Sequence, residues 1–165
     1  MIYFSITIVT PLLKTILFTI LVPGTVTVYV PWYLLSRSTP SGLGPIRYLG
    51  ILPMLAGAAA YLWCAWDFVF AGKGTPAPID APRELVVRGL YRYVRNPMYA
   101  GILCMLLGET IWFGSIVLLG YALFVFLAVH LFVVFYEEPT LSWKFGASYE
   151  QYRRSVARWL PRRRF

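Results

Sequence analysis

Apolar residues dominate four segments of this chain, and polar stretches separate them. A helix needs about 20 apolar residues to cross the hydrocarbon core of a bilayer, and runs near this length recur along most of the sequence. The pattern therefore predicts an all-α fold, a polytopic membrane bundle of about four transmembrane helices. The predicted spans are Leu12–Leu35, Tyr48–Ala71, Met98–Phe113 and Ser115–Tyr136, with Met1–Thr10 as an interfacial lead-in.

Several local features predict how these spans bend and pack. Pro23 and Pro31 should kink the first span, because each removes a backbone donor. The small residues of Ala56–Ala60 should let a neighbouring helix approach the second span closely. Only Gly114 and its neighbours separate the third and fourth spans, so these two should form a tight antiparallel hairpin.

The polar C-terminal part of the chain has the pattern of an amphipathic helix that lies on the membrane surface. Within Leu141–Arg158, Tyr149, Tyr152 and Val156 recur at helical spacing and share one face. Pro161 should end this helix. No internal repeat is found, and the length of 165 residues fits a single domain, 1–165.

Composition supports the membrane assignment and indicates which class of binding partner to expect. The chain is 59% hydrophobic and 13% charged, whereas soluble domains carry about 25% charge. The net charge is +8, but the basic residues lie in loops between apolar spans. Membrane lipids with anionic head groups are therefore the expected partners, rather than nucleic acid. Cys64 and Cys104 lie within apolar spans and are expected to be core residues.

The distribution of positive charge predicts the orientation. With four spans, both termini and the connector before Arg88 lie on one side, which holds 13 of the 15 basic residues. The positive-inside rule then places both termini in the cytoplasm. No N-terminal basic region or cleavage site suggests a removed signal peptide.

The stretch Gly89–Gly101 carries the first candidate chemistry. Arg88, Arg92 and Arg95 alternate with tyrosines, and Asn96-Pro97 is typical of a helix start, with Asn96 as the N-cap. A basic, aromatic turn at a helix N-terminus can hold an anionic or polar ligand. The arginines could instead contact lipid phosphates.

Acidic residues near the same membrane face form the second group of candidate functional residues. Glu137 and Glu138 are predicted to end the fourth span, where a helix disfavours acids, so a ligand or nearby arginines should compensate them. His130 shares roughly their helix face and either bonds a neighbouring helix or lines a substrate pocket. Asp67 could face the same pocket. No residues have the spacing of a metal site.

Two segments of this region resemble a known family. The segment R-Y-V-R-N-P-M-Y-A-G and the later Y-E-E-P-T-L-S-W-K-F-G-A-S-Y-E-Q-Y-R-R-S-V-A-R-W-L-P are similar to the isoprenylcysteine carboxyl methyltransferases and their relatives, the phospholipid N-methyltransferases. The resemblance implies an integral-membrane enzyme that uses S-adenosylmethionine and takes a lipophilic acceptor from the bilayer. It covers 87–161 as a cofactor-binding core, and leaves 12–71 to shape the substrate side.

The resemblance also implies roles for individual residues. Glu138 is expected to act in both catalysis and cofactor recognition, and Glu137 to support it or to pair with a nearby arginine. Eukaryotic members usually have histidine where this chain has Asn96. His130 and Asp67 are the predicted substrate contacts, and no metal is expected. The predicted catalytic residues are Glu138, Arg154 and Arg158, and the predicted cofactor contacts are Tyr93, Val94, Arg95, Asn96, Pro97, Tyr99, Gly101, Glu137, Glu138, Tyr149, Tyr152 and Arg153.

Two other classes of protein share part of this pattern. Sterol and related lipid reductases, which bind NADPH, have a similar Arg-x-Pro-x-Tyr turn, but they typically carry Arg-Asp where this chain has Glu137-Glu138. A non-enzymatic membrane scaffold or lipid-binding subunit would leave the two acids opposite a basic turn unexplained. The acceptor itself stays open among an isoprenylated cysteine, a phospholipid amine, a fatty acid and a lipophilic thiol.

Overall fold

The computed structural model describes residues 2–39, 41, 43–70 and 85–161, with side chains from Leu12 onward. Most of the predicted connector 72–88 lies outside these ranges. The described chain is helical, and three helical segments are long and apolar enough to cross a membrane: Leu12–Ser36, Gly44–Phe70 and Ile116–Phe145. Pro97–Phe113 is a shorter apolar helix. The predicted all-helical membrane fold is confirmed.

The helices follow one another with short connections. Residues 2–10, predicted as an interfacial lead-in, belong to the first helix. The order is α1 (Ile2–Leu21), a π-helical turn (Thr25–Tyr29), α2 (Val30–Ser36), a 3-10 turn (Gly44–Gly50), α3 (Ile51–Phe70), a 3-10 turn (Gly89–Arg92), α4 (Pro97–Phe113), α5 (Ile116–Phe132), a second π-helical turn (Val133–Glu137), α6 (Glu138–Phe145) and α7 (Ala147–Ser155).

Both π-helical turns stand two residues before a proline. Thr25–Tyr29 precedes Pro31, and Val133–Glu137 precedes Pro139. A proline in a helix donates no hydrogen bond and its ring presses on the carbonyl four residues back, and a locally widened turn relieves that contact. The helix therefore continues past each proline. The prediction that the fourth span ends at Glu137-Glu138 is wrong, since helical structure runs on to Phe145.

The first π-helical turn leaves one carbonyl for another helix to bond. In this turn the Val30 N–H donates to the Thr25 carbonyl, five residues back. The same spacing would pair the Val26 carbonyl with the N–H of residue 31. Residue 31 is a proline and has no N–H to donate. The Tyr121 hydroxyl of α5 donates to that carbonyl at 3.0 Å. This bond fixes the bend of the first span against α5.

Glycines bring α3 and α4 into close antiparallel contact. A Cβ on Gly101 would lie 2.8 Å from the Gly57 carbonyl oxygen and 3.2 Å from the Tyr61 nitrogen. One on Gly108 would lie 2.6 Å from the Gly50 carbonyl oxygen. The predicted close approach at Ala56–Ala60 is thus made by Gly57, and it gives the bundle a rigid centre.

The connections divide between the two ends of the bundle. Gly114 joins α4 to α5 in the predicted tight hairpin, and its carbonyl accepts a bond of 3.3 Å from the Ser41 N–H in the loop after α2. The Gly89–Arg92 turn, α6 and α7 lie together at the other end, because Arg95 contacts Glu138 of α6 and Tyr152 of α7 contacts Tyr91 of the turn. The topology agrees with four crossings.

The C-terminal part is shorter and more broken than predicted. The expected single helix Leu141–Arg158 is divided at Gly146, whose φ of +52° only glycine adopts readily, and α7 ends at Ser155 rather than at Pro161. The predicted amphipathic face is present, because Tyr149, Tyr152 and Val156 form one buried cluster.

Candidate functional site

The basic turn is fixed to α3 at its beginning. Arg88 Nε lies 3.1 Å from Asp67 Oδ1, whose side chain is buried. Gly89 follows with a φ of +54°, and a Cβ there would run into Asp67 Oδ2 and lie 3.0 Å from Trp63 Nε1. Only glycine lets the chain pass this close to α3. Asp67, a predicted substrate contact, anchors the turn and is not part of the lining of the cavity described below.

The C-terminal segment Val156–Trp159, here called the strap, holds the other end of the turn. The Arg95 N–H donates to the Ala157 carbonyl at 2.8 Å, and Val94 and Ala157 form a parallel backbone bridge. Asn96 Nδ2 donates to the Arg158 carbonyl at 3.2 Å. The Asn96 side chain therefore does not cap α4, although Asn96 is the N-cap residue and Pro97 opens the helix.

Glu138 is the centre of a buried ion cluster. Arg95 Nη1 lies 2.8 Å from Glu138 Oε1, while Arg158 contacts both carboxylate oxygens, Nε at 2.7 Å and Nη2 at 3.0 Å. The exposed side-chain fractions are 8% for Glu138, 10% for Arg95 and 31% for Arg158. Glu138 raises the pKa of the Arg158 guanidinium through these bonds. The cluster joins the turn, α6 and the strap.

Glu137 has a different environment from its neighbour. It lines a cavity of about 440 Å³, and its Oε2 accepts a hydrogen bond of 3.0 Å from the Tyr99 hydroxyl of α4. Glu138 is not part of this cavity's lining. The π-helical turn Val133–Glu137 ends at this residue, and widened turns of this kind often occur at functional sites.

The cavity combines aromatic walls with a few polar groups. Six aromatic residues line it, together with four aliphatic or thioether residues and three polar side chains. They are Phe18, Tyr61, Phe68, Tyr91, Tyr99 and Phe132; Val22, Pro23, Met98 and Ile102; and Arg95, Asn96 and Glu137. Its size is that of a small-molecule site.

One donor of the Arg95 side chain, which lines this cavity, is unused. Arg95 Nε is buried and has no hydrogen-bond partner among the described residues, while Nη1 of the same guanidinium binds Glu138 and lies 3.4 Å from the Tyr149 hydroxyl. A buried donor without a partner is costly.

Two tyrosines of α7 support the site from behind. The Tyr152 hydroxyl donates to the Tyr91 carbonyl at 2.7 Å, and Tyr149 is almost fully buried. Burial raises the pKa of Tyr149 and of Tyr152. Both phenols therefore stay protonated at neutral pH and act as neutral hydrogen-bonding groups.

Other predicted site residues lie elsewhere. The Tyr93 side chain is exposed, Gly101 packs on Gly57, and Arg153 pairs with Glu150 at 3.0 Å. Arg154 lines a separate surface depression with residues of α7. His130 Nδ1 accepts a hydrogen bond of 3.1 Å from Trp159 Nε1, so it holds the strap.

Sequence reasoning missed part of the cavity wall. Phe18, Val22 and Pro23 of the first span, and Tyr61 and Phe68 of α3, contribute to it. Apolar and aromatic residues inside a membrane span carry no pattern that distinguishes a cavity wall from a lipid-facing surface. Trp159 was also missed, although a tryptophan in a basic C-terminal segment is a signal for an anchored strap. Among the described residues, no group of three or more His, Cys, Asp or Glu could hold a metal.

The fold and the site define a multi-pass membrane protein with a partly enclosed, polar and aromatic cavity near one end of the bundle. The sequence profile of the phospholipid methyltransferase family matches residues 46–148. The chain therefore belongs to this family of membrane methyltransferases, whose members typically use S-adenosylmethionine.

Two relatives are similar to parts of this chain, and one of them is a methyltransferase. A Haemophilus influenzae protein described as uncharacterized is 41% identical over 64 residues, which cover 38% of this chain and all of that protein. Protein-S-isoprenylcysteine O-methyltransferase of Schizosaccharomyces pombe is 38% identical over 80 residues. That match covers 47% of this chain but only 33% of the yeast protein.

Proposed function

We propose that this protein transfers a methyl group from S-adenosylmethionine to a lipophilic acceptor taken from the bilayer, and that the reaction occurs in the 440 Å³ cavity. The observation that carries this proposal is the lining of the cavity. A carboxylate, a guanidinium and six aromatic rings line the same space. Membership of the family supports the same reaction class.

The polar groups fit the charged part of the cofactor. Its methionine part carries an ammonium, a carboxylate and a sulfonium close together. Glu137, held by Tyr99, is suited to the ammonium, and the Arg95 guanidinium, which lines the same cavity, is suited to the carboxylate. Aromatic faces attract a cation such as a sulfonium. S-adenosylmethionine would supply an electrophilic methyl group, and the chain's residues would bind and orient it.

Glu138 and Arg158 have a positioning role in this proposal. Glu138 pairs with Arg95 and with Arg158, and neither Glu138 nor Arg158 lines the cavity, so the cluster fixes the position of the Arg95 guanidinium from outside the lining. The expected assignment of cofactor recognition to Glu138 therefore passes to Glu137, and Glu138 acts through Arg95. Arg153 and Arg154 lie outside the cavity lining and are not assigned to catalysis.

Methyl transfer to a good nucleophile needs placement more than proton transfer, and holding two reactants in line can supply a large part of the rate. The cavity supports this by its rigid walls, which α3 and α4 provide through their close glycine contact. An amine acceptor must also lose a proton at some stage. Glu137 is the carboxylate in the cavity lining that could take it.

The acceptor is proposed to come from the membrane because α1, α3 and α4 form the cavity wall and all contain membrane-length or nearly membrane-length apolar stretches. The specific acceptor is open among a phospholipid amine, an isoprenylated cysteine, a fatty acid and a lipophilic thiol. Both termini and the site are proposed to be cytoplasmic, as the positive-inside rule predicts.

Ligand binding to the purified full chain tests the cofactor. S-adenosylhomocysteine at 100 times its dissociation constant should stabilise the fold by about 2.7 kcal/mol, if the unfolded state does not bind it. A thermal unfolding scan should therefore shift upward with S-adenosylhomocysteine and stay unchanged with NADPH. A shift with NADPH alone would favour the reductase class and contradict the proposal.

A further inference from the structure

The strap is attached to two different parts of the molecule. Its carbonyls bind the basic turn, where the Arg95 N–H donates to Ala157 and the Asn96 side chain donates to Arg158. Its last residue, Trp159, reaches α5, where Nε1 donates to His130 Nδ1 at 3.1 Å. A histidine is the side chain whose charge ordinarily changes between pH 5 and 8, so the attachment to α5 can depend on pH.

The direction of this hydrogen bond defines the state of His130. An indole N–H is a donor only, so His130 Nδ1 is the acceptor, and the ring is neutral with its proton on Nε2. A protonated imidazole donates from both nitrogens and accepts nothing. Protonation of His130 therefore replaces the hydrogen bond to Trp159 with two donors that face each other.

Aromatic rings form the immediate surroundings of this pair. The Phe126 ring centroid lies 5.9 Å from that of His130 and 5.6 Å from that of Trp159. The rings of His130 and Trp159 are tilted by 31° and their centroids are 6.1 Å apart. Both residues are partly exposed, so the pair is not sealed inside the bundle.

The charged and titratable groups around His130 have other partners. Because α4 and α5 are antiparallel about Gly114, Tyr99 lies level with His130, and its hydroxyl donates to Glu137. Arg158 of the strap pairs with Glu138. The other titratable side chains of α5 and of the helices packed on it lie closer to the far end of the bundle: Tyr121 of α5, Cys104 and Glu109 of α4, and Tyr33 of α2.

The strap connects this pair to the wall of the 440 Å³ cavity. Arg95 and Asn96 line the cavity, and the carbonyls that hold them belong to Ala157 and Arg158, directly before Trp159. When the indole loses its acceptor, the end of the strap next to these two bonds is freed. We propose that His130 and Trp159 form a pH-sensitive latch, in which the neutral imidazole holds the strap against the basic turn and protonation of His130 releases it.

The sign of the effect follows from the protonation state that the latch needs. The attached strap requires neutral His130, so attachment is complete at high pH and weakens as the pH falls. The two aromatic rings attract an imidazolium and act in the opposite direction, but they do so without a preferred hydrogen-bond direction. The latch itself does not depend on the proposed methyl transfer, whereas its effect on cofactor binding rests on the proposed function.

Hydrogen–deuterium exchange of the Arg95 N–H tests the latch without a cofactor, because this N–H is bonded to the strap. The full chain in detergent is compared with His130→Asn, whose amide can place an acceptor near the position of Nδ1 but does not titrate. Comparison at equal pH cancels the intrinsic exchange rate. Relative to His130→Asn, the wild type should exchange equally fast at about pH 8 and roughly 2- to 12-fold faster at about pH 5, the range for one lost hydrogen bond.

Trp159→Phe removes the donor and keeps an aromatic ring. Its Arg95 N–H should exchange faster than that of the wild type at about pH 8, and the two should converge at about pH 5. A wild type that matches His130→Asn at both pH values would overturn the latch. So would a Trp159→Phe variant that keeps the full difference from the wild type at low pH.

Titration calorimetry with S-adenosylhomocysteine tests the consequence for the site. Between about pH 8 and pH 5, the affinity of the wild type should fall more than that of His130→Asn, by a further factor of up to about 12. Equal losses in both proteins would show that the strap does not control the cavity. If S-adenosylhomocysteine bound at neither pH, the proposed function would fail, while the exchange measurement would still decide the latch.

Discussion

Two adjacent glutamates show how strongly a single residue's environment depends on the turn that carries it. Glu138 is held by two guanidiniums, while Glu137 faces the cavity and accepts a bond from Tyr99. Like charges on neighbouring residues repel, and the arginines offset this for Glu138 only. The two acids should therefore respond differently to loss of charge.

Glu137→Gln is predicted to weaken cofactor binding and to leave the fold intact. The substitution keeps the hydrogen bond to Tyr99 but turns a charge-assisted contact with the ligand's ammonium into a neutral one, a loss of roughly 1–3 kcal/mol. That corresponds to an affinity for S-adenosylhomocysteine that is about 5- to 150-fold lower, which titration calorimetry would measure.

Glu138→Gln is the matched control, and it is expected to lower the stability of the fold. It leaves the buried Arg95 guanidinium without its counter-charge, and breaking such a pair costs about 3–5 kcal/mol. We expect a loss of unfolding free energy near the low end of that range, because the amide oxygen still accepts a hydrogen bond. If Glu138→Gln weakened binding without lowering the melting temperature, and Glu137→Gln changed neither, the roles of the two residues would be reversed.

At the residue scale the sequence predicted which side chains gather but not which way they face. Residue type and spacing singled out the basic turn with Arg95 and Asn96 and the acids Glu137 and Glu138, and the family resemblance added Tyr99. The orientation of the two acids depends on the π-helical turn before them, which has no signature in the pattern of apolar residues. His130 was left between two roles, and its partner Trp159 belongs to a segment too short to show a period.

At the scale of elements, proline and glycine explain most of the fold that apolar patterning leaves open. A proline two residues after each π-helical turn explains why the helix widens without ending. The prediction that Glu137-Glu138-Pro139 ends a helix failed because proline is disfavoured in a helix but not excluded, and this one is accommodated by the widened turn. The break at Gly146 was missed because a lone glycine within a helical pattern is often tolerated.

The α3–α4 contact yields a prediction with a control inside the same protein. A Cβ on Gly57 would lie 2.9 Å from the Met105 nitrogen and closer still to the Gly101 carbonyl oxygen, whereas one on Gly120 would meet nothing within 4 Å. Gly57→Ala should lower the free energy of unfolding by about 1–3 kcal/mol, as overpacking does. Gly120→Ala should be neutral or stabilise by up to about 1 kcal/mol. Thermal unfolding in detergent compares them, and equal melting temperatures would mean that the helices are not in close contact.

For the whole molecule, the alternation of apolar and polar segments was sufficient to predict the helical class, with three membrane-length apolar helices and one shorter apolar helix. The chain carries this information because bilayer thickness fixes helix length. The cavity could not be predicted in the same way, since it arises where the bent first span meets α3 and α4, and such bends depend on packing.

The orientation of the molecule is predicted by its charges. A reporter fused at Gly114 should be external, and one fused after α7 should be cytoplasmic, because the sequence predicts 13 of the 15 basic residues on the side that holds α7. Alkaline phosphatase and fluorescent-protein fusions, active on opposite sides, measure this. If alkaline phosphatase were active after α7 and the fluorescent protein at Gly114, the site would lie outside the cytoplasm and the predicted orientation would be wrong.

The shortness of α4 links the protein to the thickness of its membrane. Its 17 residues extend about 26 Å, less than the roughly 30 Å of a typical hydrocarbon core, whereas the other crossings are longer. Either the bilayer thins around the protein, or the turn at Asn96 lies below the head groups. In both cases a lipid can reach the cavity without leaving its leaflet. Thicker membranes make this mismatch larger. In vesicles of phosphatidylcholines with progressively longer chains, S-adenosylhomocysteine affinity and thermal stability should both fall, and a response that is flat across the series would show that α4 adapts by other means.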